Sequence, residues 1–297
     1  MKHIILTNPV SGKQRGLKQS IIIQKLLQKY HISSSIIVSE YPGHLTKLAH
    51  DLSQTAHCRF YCVGGDGSLN EIISGIIGSN SEIVVIPCGT GNDFLRSISD
   101  YNSLRKIIIA SINQKAQKAD VLKLNHNRYC INILNMGFDA MVAKNVDKFR
   151  KFQFLSGKLK YNLSIFYTLL SSRNFHFKIR LDHTKIYKGN FTLAVIANGK
   201  YYGGGIKPCP NACVNDGLIS TCIVDSTSLF QKLFFLPSYK KGKHITLKQA
   251  HIDQVKEVVI VSTEKFPVSI DGEVIYTNKL SAKILKDAIN VVYIPKF

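Results

Sequence analysis

The chain has 297 residues, 45% of them apolar, long enough for one large or two ordinary domains and too apolar for intrinsic disorder. It lacks an apolar run long enough to cross a bilayer, and Met1 to Pro9 lacks a signal-peptide layout, so a cytoplasmic protein is expected. Lys and Arg total 39 against 19 acids, and a net charge of +20 asks for an anionic partner, either a membrane surface or nucleic acid.

His3 to Asn8 reads as a first strand that runs into Asn8-Pro9-Val10-Ser11-Gly12-Lys13. That loop has the position of a phosphate-binding P-loop but lacks its first glycine and its final hydroxyl. Gly16 to Tyr30 has helical spacing, Ser35 to Val38 is a second strand, and Tyr41-Pro42-Gly43-His44 opens a helix to about Ser53. Arg59 to Val63 is an apolar strand, and Ser68 to Ile77 spaces Leu69, Ile72, Ile73, Ile76 and Ile77 along one helix face. Between them stands Gly64-Gly65-Asp66-Gly67. Glycines at a strand-to-helix corner let a phosphate approach the amides of the helix start. An aspartate there would repel a bare phosphate, so the loop suggests a phosphate arriving with a divalent metal. Glu82 to Pro87 is a fourth strand that ends in Cys88-Gly89-Thr90-Gly91-Asn92-Asp93, and helical spacing returns at Leu104 to Ile112.

Strands alternating with helices predict a parallel-sheet α/β domain whose ligands gather beyond the carboxyl ends of the strands. Four successive strand ends would then place Asn8 to Gly12, Ser39 to His44, Gly64 to Asn70 and Gly89 to Asp93 on one rim. From about Asp120 the texture changes to short β-rich runs, the last at Val291 to Ile294, which predict an antiparallel sandwich. Two helical insertions, Ala140 to Ser171 and Ser228 to His244, interrupt it. The domains are taken as 1–124 and 125–297.

The seven cysteines are scattered. Cys58/Cys62 and Cys209/Cys213 lack a histidine at zinc spacing, so reduced thiols are expected. Lys144 to Lys160 interleaves Lys144, Lys148, Arg150, Lys151, Lys158 and Lys160 with Phe149, Phe152, Phe154 and Leu155, and Tyr239 to His244 adds Lys240, Lys241 and Lys243. Such mixtures suit anionic lipid headgroups, while the aromatics alone could equally pack in the core.

The motifs G-G-D-G-S-L-N-E and I-P-C-G-T-G-N-D-F together resemble the catalytic domain of the diacylglycerol kinase family of lipid kinases. The resemblance extends over Asn8-Pro9, Pro42-Gly43-His44, Asn135 to Asp139, Ala197-Asn198-Gly199, Asn215 to Leu218 and Asp271-Gly272-Glu273. It implies an N-terminal α/β nucleotide-binding domain, a C-terminal β-sandwich and an active site in the interdomain cleft. It implies an ATP- and magnesium-dependent kinase acting on a lipid hydroxyl, diacylglycerol first. Phosphatidylglycerol or a sphingoid base is the alternative acceptor, and a basic nucleic-acid-binding protein is the alternative class. A homodimer is left open.

By the same resemblance, Asn8, Pro9, Val10, Ser11, Gly12, Ser39, Gly64, Gly65, Asp66, Gly67, Ser68, Leu69, Asn70 and Thr90 would contact the nucleotide. Asp66, Asp93 and Asp120 would face a catalytic magnesium, directly or through water. Asp216, with main-chain oxygens of Cys213 and Leu218, would hold a second, structural magnesium, weakened because Asn215 stands where an aspartate is usual. Asp271 and Glu273 would lie where the acceptor hydroxyl is activated, with Glu273 the usual base. From the residues alone, Asp271-Gly272 is also a hairpin turn, Asp93 a helix-start acid, Asp216-Gly217 a turn and Asp120 a strand-end aspartate.

Overall fold

A computed structural model describes residues 1–89, 91–99, 103–150, 157–171 and 174–293. The chain divides into two compact units, 1–121 with 214–217 and 285–297, and 122–213 with 218–284. In chain order the elements are β1 (Lys2–Thr7), α1 (Ser11–Gln14), α2 (Gly16–Lys29), β2 (Ser34–Val38), α3 (His44–Thr55), β3 (Cys58–Gly64), α4 (Asp66–Ile76), β4 (Glu82–Pro87), α5 (Asp93–Ile98), α6 (Leu104–Asn113) and β5 (Gln117–Leu124). They continue as β6 (Tyr129–Cys130), β7 (Ile133–Gly137), α7 (Phe138–Arg150), α8 (Gly157–Ser171), β8 (Phe175–Leu181), β9 (Lys185–Ala197), β10 (Ile219–Asp225), α9 (Leu229–Lys240), β11 (Ala250–Val255), β12 (Glu257–Ile270) and β13 (Glu273–Val291).

The first unit is the expected parallel α/β sheet. Its strands lie in the order β2-β1-β3-β4, all parallel, and Asn290 and Val291 of β13 pair in parallel with the free side of β4. Every residue of β3 is buried, as a central parallel strand covered on both faces requires. α4 packs through Leu69, Ile72, Ile73 and Ile76, one face of a 3.6-residue period. The 8–13 loop is more ordered than expected, because its second half forms the single turn α1.

The second unit is antiparallel. β7 pairs with β9 and β12, β8 with β9 and β12, β10 with β9 and β11, and β12 with β13. Alternation sorts the side chains into two cores. Ala194 and Ile196 of β9 join Leu134, Met136, Ile219 and Ile223 in one core. Leu193, Val195 and Ala197 turn the other way, onto Phe138, Val142, Phe235 and Tyr239 of the covering helices. Three strands are longer than their short apolar runs predict, with 13 residues in β9, 14 in β12 and 19 in β13. Exposed polar stretches within them, such as Thr263 to Lys265, interrupt the hydrophobic pattern but not the strand. The half-buried β11 has no such pattern and escapes sequence reading. Ile294, where the last predicted strand ends, lies outside the described residues.

Candidate active site

Three loops of the first unit converge at the carboxyl ends of its strands. Asn8 follows β1, and its Nδ2 donates to Ser68 Oγ at 3.1 Å while its Oδ1 accepts from the Val10 amide at 3.2 Å. Gly12, at φ +61°, sits so close to the end of β4 that a Cβ would stand 2.3 Å from the Cys88 carbonyl oxygen. No other residue fits that left-handed, crowded position. The two later loops touch in the same way, since a Cβ on Gly89 would lie 2.7 Å from Gly65 Cα. Asn92 closes the second of them, with Gly89 N donating to its Oδ1 at 3.2 Å and its Nδ2 donating to Gly89 O at 3.0 Å.

Gly65 precedes α4 and offers its start no side-chain cap, and a Cβ on Gly67 would meet nothing within 4 Å. The chain at Gly67 therefore borders open space, and the opening amides of an uncapped helix favour an anion. Beside it, Asp66 Oδ1 accepts from the Asp93 amide at 3.1 Å. A Cβ on Gly91 would stand 2.7 Å from Asp66 Oδ2 and 3.3 Å from Asp93 Oδ2, so both carboxylates converge on one spot. Arg96 Nη1 donates to Asp93 Oδ1 at 2.6 Å and balances part of this charge.

Asp120 is placed differently. Its Oδ2 accepts from the Gly217 amide at 2.7 Å and its Oδ1 from the Asp287 amide at 2.8 Å, while its own amide donates to Val214 O. This wholly buried carboxylate ties three separate chain segments of the first unit together. Among the described residues no three His, Cys, Asp or Glu side chains gather to hold a metal ion directly. Two carboxylates suffice for magnesium that keeps waters and shares phosphate oxygens, and Asp66 with Asp93 fits that mode.

The other predicted nucleotide contacts are placed individually. Ser39 follows β2 and donates its amide to Thr7 O at 2.9 Å. Leu69 gives its side chain to the core and its amide to Gly65 O, and Asn70 Oδ1 accepts from Ser74 Oγ. Pro9 is half-buried and Ser11 opens α1, while Thr90 lies outside the described residues. Asp216 and Cys213 are exposed and Leu218 half-buried; Asp216 falls in the first unit, Cys213 and Leu218 in the second.

In the second unit the Asp271-Gly272-Glu273 turn separates its two carboxylates by environment. Asp271, at φ +47°, accepts from three successive amides, Ile131 N at 2.9 Å and Asn132 N and Ile133 N at 3.1 Å each. The Cys130 thiol donates to it as well, at 3.3 Å. Burial, and then the Asp271 charge, push the Cys130 pKa well up, so the group stays a thiol. Asn198 holds the same loop in place, its Nδ2 donating to Ile131 O at 2.8 Å and its amide to Asn132 O. Glu273 projects outward with its side chain 70% exposed, and Arg128 Nη2 reaches both of its oxygens at 3.1 Å. An ion pair this exposed is worth about 0–1 kcal/mol, weak enough to open for a substrate.

Sequence reading missed Arg128, which sits in no motif, and the 130–133 cradle, some 140 positions from its aspartate. It also placed Tyr239 and His244 in a basic surface cluster, and the structure corrects this. His244 is fully buried, its Nε2 bonded to Pro208 O at 2.9 Å, and burial lowers its pKa to about 4, so it is neutral. Tyr239 is equally buried and donates to Asp139 Oδ2 at 2.5 Å. Of the 144–160 patch, Lys151, Phe152, Phe154 and Leu155, with the Arg150 and Lys158 side chains, lie outside the described residues. Phe149 packs edge-on against Tyr167, whose ring also carries the Lys148 ammonium.

An α/β unit presenting two interlocked glycine loops, followed by an antiparallel β unit, is the architecture of a two-domain kinase. Residues 2–124 match the diacylglycerol kinase catalytic domain, and residues 132–293 match the YegS C-terminal NAD kinase beta sandwich-like domain. The chain belongs to the diacylglycerol kinase catalytic-domain family of lipid kinases. It is 28% identical over 86% of its length to 85% of a Staphylococcus carnosus (strain TM300) protein named "Putative lipid kinase". It is 27% identical over 93% of its length to 95% of "Putative lipid kinase YtlR" of Bacillus subtilis (strain 168). Its fold is that of a "putative diacylglycerol kinase" from Bacillus anthracis str. Sterne, with TM-score 0.80 and 22% identity, covering 99% of this chain and 95% of that one. Among the described residues no helix is long and apolar enough to cross a membrane.

Proposed function

We propose that the protein transfers the γ-phosphate of ATP, with magnesium, to the hydroxyl of a lipid, and that diacylglycerol is the acceptor, giving phosphatidic acid. The observation that carries this reading is the converged pair Asp66 and Asp93 beside the uncapped start of α4. The α4 amides and the Asn8 and Gly89 loops bind and orient the nucleotide phosphates, and Asp66 and Asp93 are the residues that would hold the metal. Magnesium, when bound, neutralises charge on the phosphates being transferred. Glu273 accepts the proton of the attacking hydroxyl, a task open to its exposed carboxylate and closed to Asp271, whose oxygens are filled by amides. Asp271 and the amides of 131–133 fix the turn that orients Glu273.

A nucleic-acid-binding reading shares the net charge but leaves the glycine loops without a role. The test is a screen with labelled ATP and magnesium against diacylglycerol, phosphatidylglycerol and sphingoid bases in mixed micelles. Labelled phosphatidic acid supports the reading. Transfer only to another lipid replaces the acceptor, and salt-sensitive DNA or RNA binding with no transfer sinks the enzyme assignment.

A further inference from the structure

α9 is turned inside out relative to an ordinary surface helix. Its buried positions, Lys232, Phe235 and Tyr239, follow helical spacing, and one of them is a lysine. Its outward positions are Leu229, Phe230, Leu233 and Phe234, with Phe230 74% and Phe234 83% exposed. A helix apolar on every side normally lies in a protein interior or in lipid. The segment is nevertheless firmly built. Ser228 and Gln231 form a reciprocal capping box at its start, and Tyr239 anchors its end to Asp139. α8 packs beside it and exposes Leu159, Phe166 and Tyr167.

Charge selects the occupant. No acidic residue occurs between Asp225 and Asp253 or within α8, and α9 runs out into exposed Lys240, Lys241 and Lys243. A second copy of this chain would bring the same cationic face and a net charge of +20 against the first, which is repulsive. An anionic bilayer complements both features, with phosphates for the lysines and acyl chains for the phenylalanines. We propose that α9, with the outer side of α8, docks the chain on an anionic membrane. Phe230 and Phe234 enter the headgroup region, and Lys240, Lys241 and Lys243 lie at the lipid phosphates. The proposal rests on the lipid-acceptor reading for why the chain needs a bilayer, and its test is independent of catalysis.

The chain contains no tryptophan, so Phe234→Trp gives a single reporter and Tyr30→Trp, exposed in the first unit, a control. Each is mixed with phosphatidylcholine vesicles, with or without phosphatidylglycerol, in the absence of ATP and acceptor. Emission from Phe234→Trp should shift to shorter wavelength and be quenched by brominated acyl chains only when phosphatidylglycerol is present, while Tyr30→Trp stays unchanged. Phe230→Ser with Phe234→Ser should lower co-sedimentation with these vesicles by about tenfold or more, the order expected for two lost aromatic contacts. The proposal is overturned if the wild-type protein does not sediment with them, or does so while Phe234→Trp stays in water. A blue shift that appears without vesicles as protein concentration rises also overturns it, by assigning the face to self-association. Insertion of Phe234→Trp in a protein that phosphorylates no lipid would support the docking face and remove the lipid-acceptor reading alone.

Discussion

Replacing Asp271 by Asn tests whether this carboxylate is a structural anchor or a chemical group. Asn tolerates the left-handed backbone at φ +47° and matches Asp in size, so the change isolates charge and hydrogen bonding. Asp271 receives the Ile131, Asn132 and Ile133 amides on two oxygens. The amide has one oxygen, so at least one buried N–H would face an NH2 donor. Hydrogen bonds to a charged group contribute about 1.5–3 kcal/mol each, and a stranded buried donor adds its desolvation cost, so Asp271→Asn should destabilise by about 3 kcal/mol. That is a large part of a total stability of roughly 5–15 kcal/mol. Denaturant unfolding should show a lowered midpoint, and hydrogen exchange at the amides of 131–133 should quicken about a hundredfold if they open locally. The companion change Glu273→Gln loses only an exposed pair, so stability should move by less than about 1 kcal/mol. Its lipid phosphorylation should fall by roughly 100- to 10,000-fold, as when a general base is removed. An Asp271→Asn protein with the wild-type midpoint and unchanged protection at 131–133 would refute the anchor argument. A Glu273→Gln protein of full activity would remove the base.

Gly89→Ala puts a methyl 2.7 Å from Gly65 Cα, backbone against side chain, and should part the two loops. Overpacking of this kind costs about 1–3 kcal/mol, and titration calorimetry should show weakened ATP binding. Asp120→Asn should lower the thermal midpoint through loss of a Gly217 or Asp287 contact, by about 2 kcal/mol. A raised magnesium requirement with an unchanged midpoint would instead make Asp120 metal-facing. Burial raises the Asp139 pKa from 3.8 to about 6, so its contribution to stability is present below 3.8 and is lost as pH rises through about 6. Burial lowers the His244 pKa from 6.5 to about 4, so its neutral form favours the fold above 6.5 and stability is lost as pH falls towards 4. The two trends oppose one another, and Asp139→Asn should leave the histidine trend alone, with stability rising by about 3 kcal/mol from pH 4 to pH 6.5. Thermal melts across that range check it; a variant whose profile matches the wild type would refute the Asp139 assignment.

Much of the first unit is legible in the sequence because its information is local. β3 is a run of buried residues, α4 repeats its isoleucines at helical spacing, and the glycines of both loops stand beside the strands they terminate. The second unit is less legible because its pairing is not local. β12 and β13 continue through polar stretches that only their partner strands hold extended, and β11 is placed by pairing with β10 rather than by a pattern of its own. The placing of Tyr239 and His244 in the basic cluster at 239–244 failed for a related reason, although its lysines are exposed. Composition shows that lysines, a tyrosine and a histidine are adjacent, but not that the helix and the turn after it rotate Tyr239 and His244 inward.

The carboxylates show the same limit at the candidate site. Asp66, Asp93, Asp271 and Glu273 stand in or beside glycine turns and Asp120 within β5, and the residue type alone offers each as a ligand or a base. What separates them is how their oxygens are already used. Three amides and the Cys130 thiol occupy the lone pairs of Asp271 and stabilise its charge, whereas each oxygen of Asp120 accepts one amide. Glu273 pairs with the solvated Arg128 guanidinium, a contact weak enough to open. The Asp93 amide donates to Asp66 Oδ1, and Asp66 Oδ2 and Asp93 Oδ2 both border the spot beside Gly91, an arrangement compatible with the magnesium role proposed for the pair. The amides that anchor Asp120 and Asp271 come from segments roughly 100 to 170 residues away, a separation over which a single sequence carries no pairing signal.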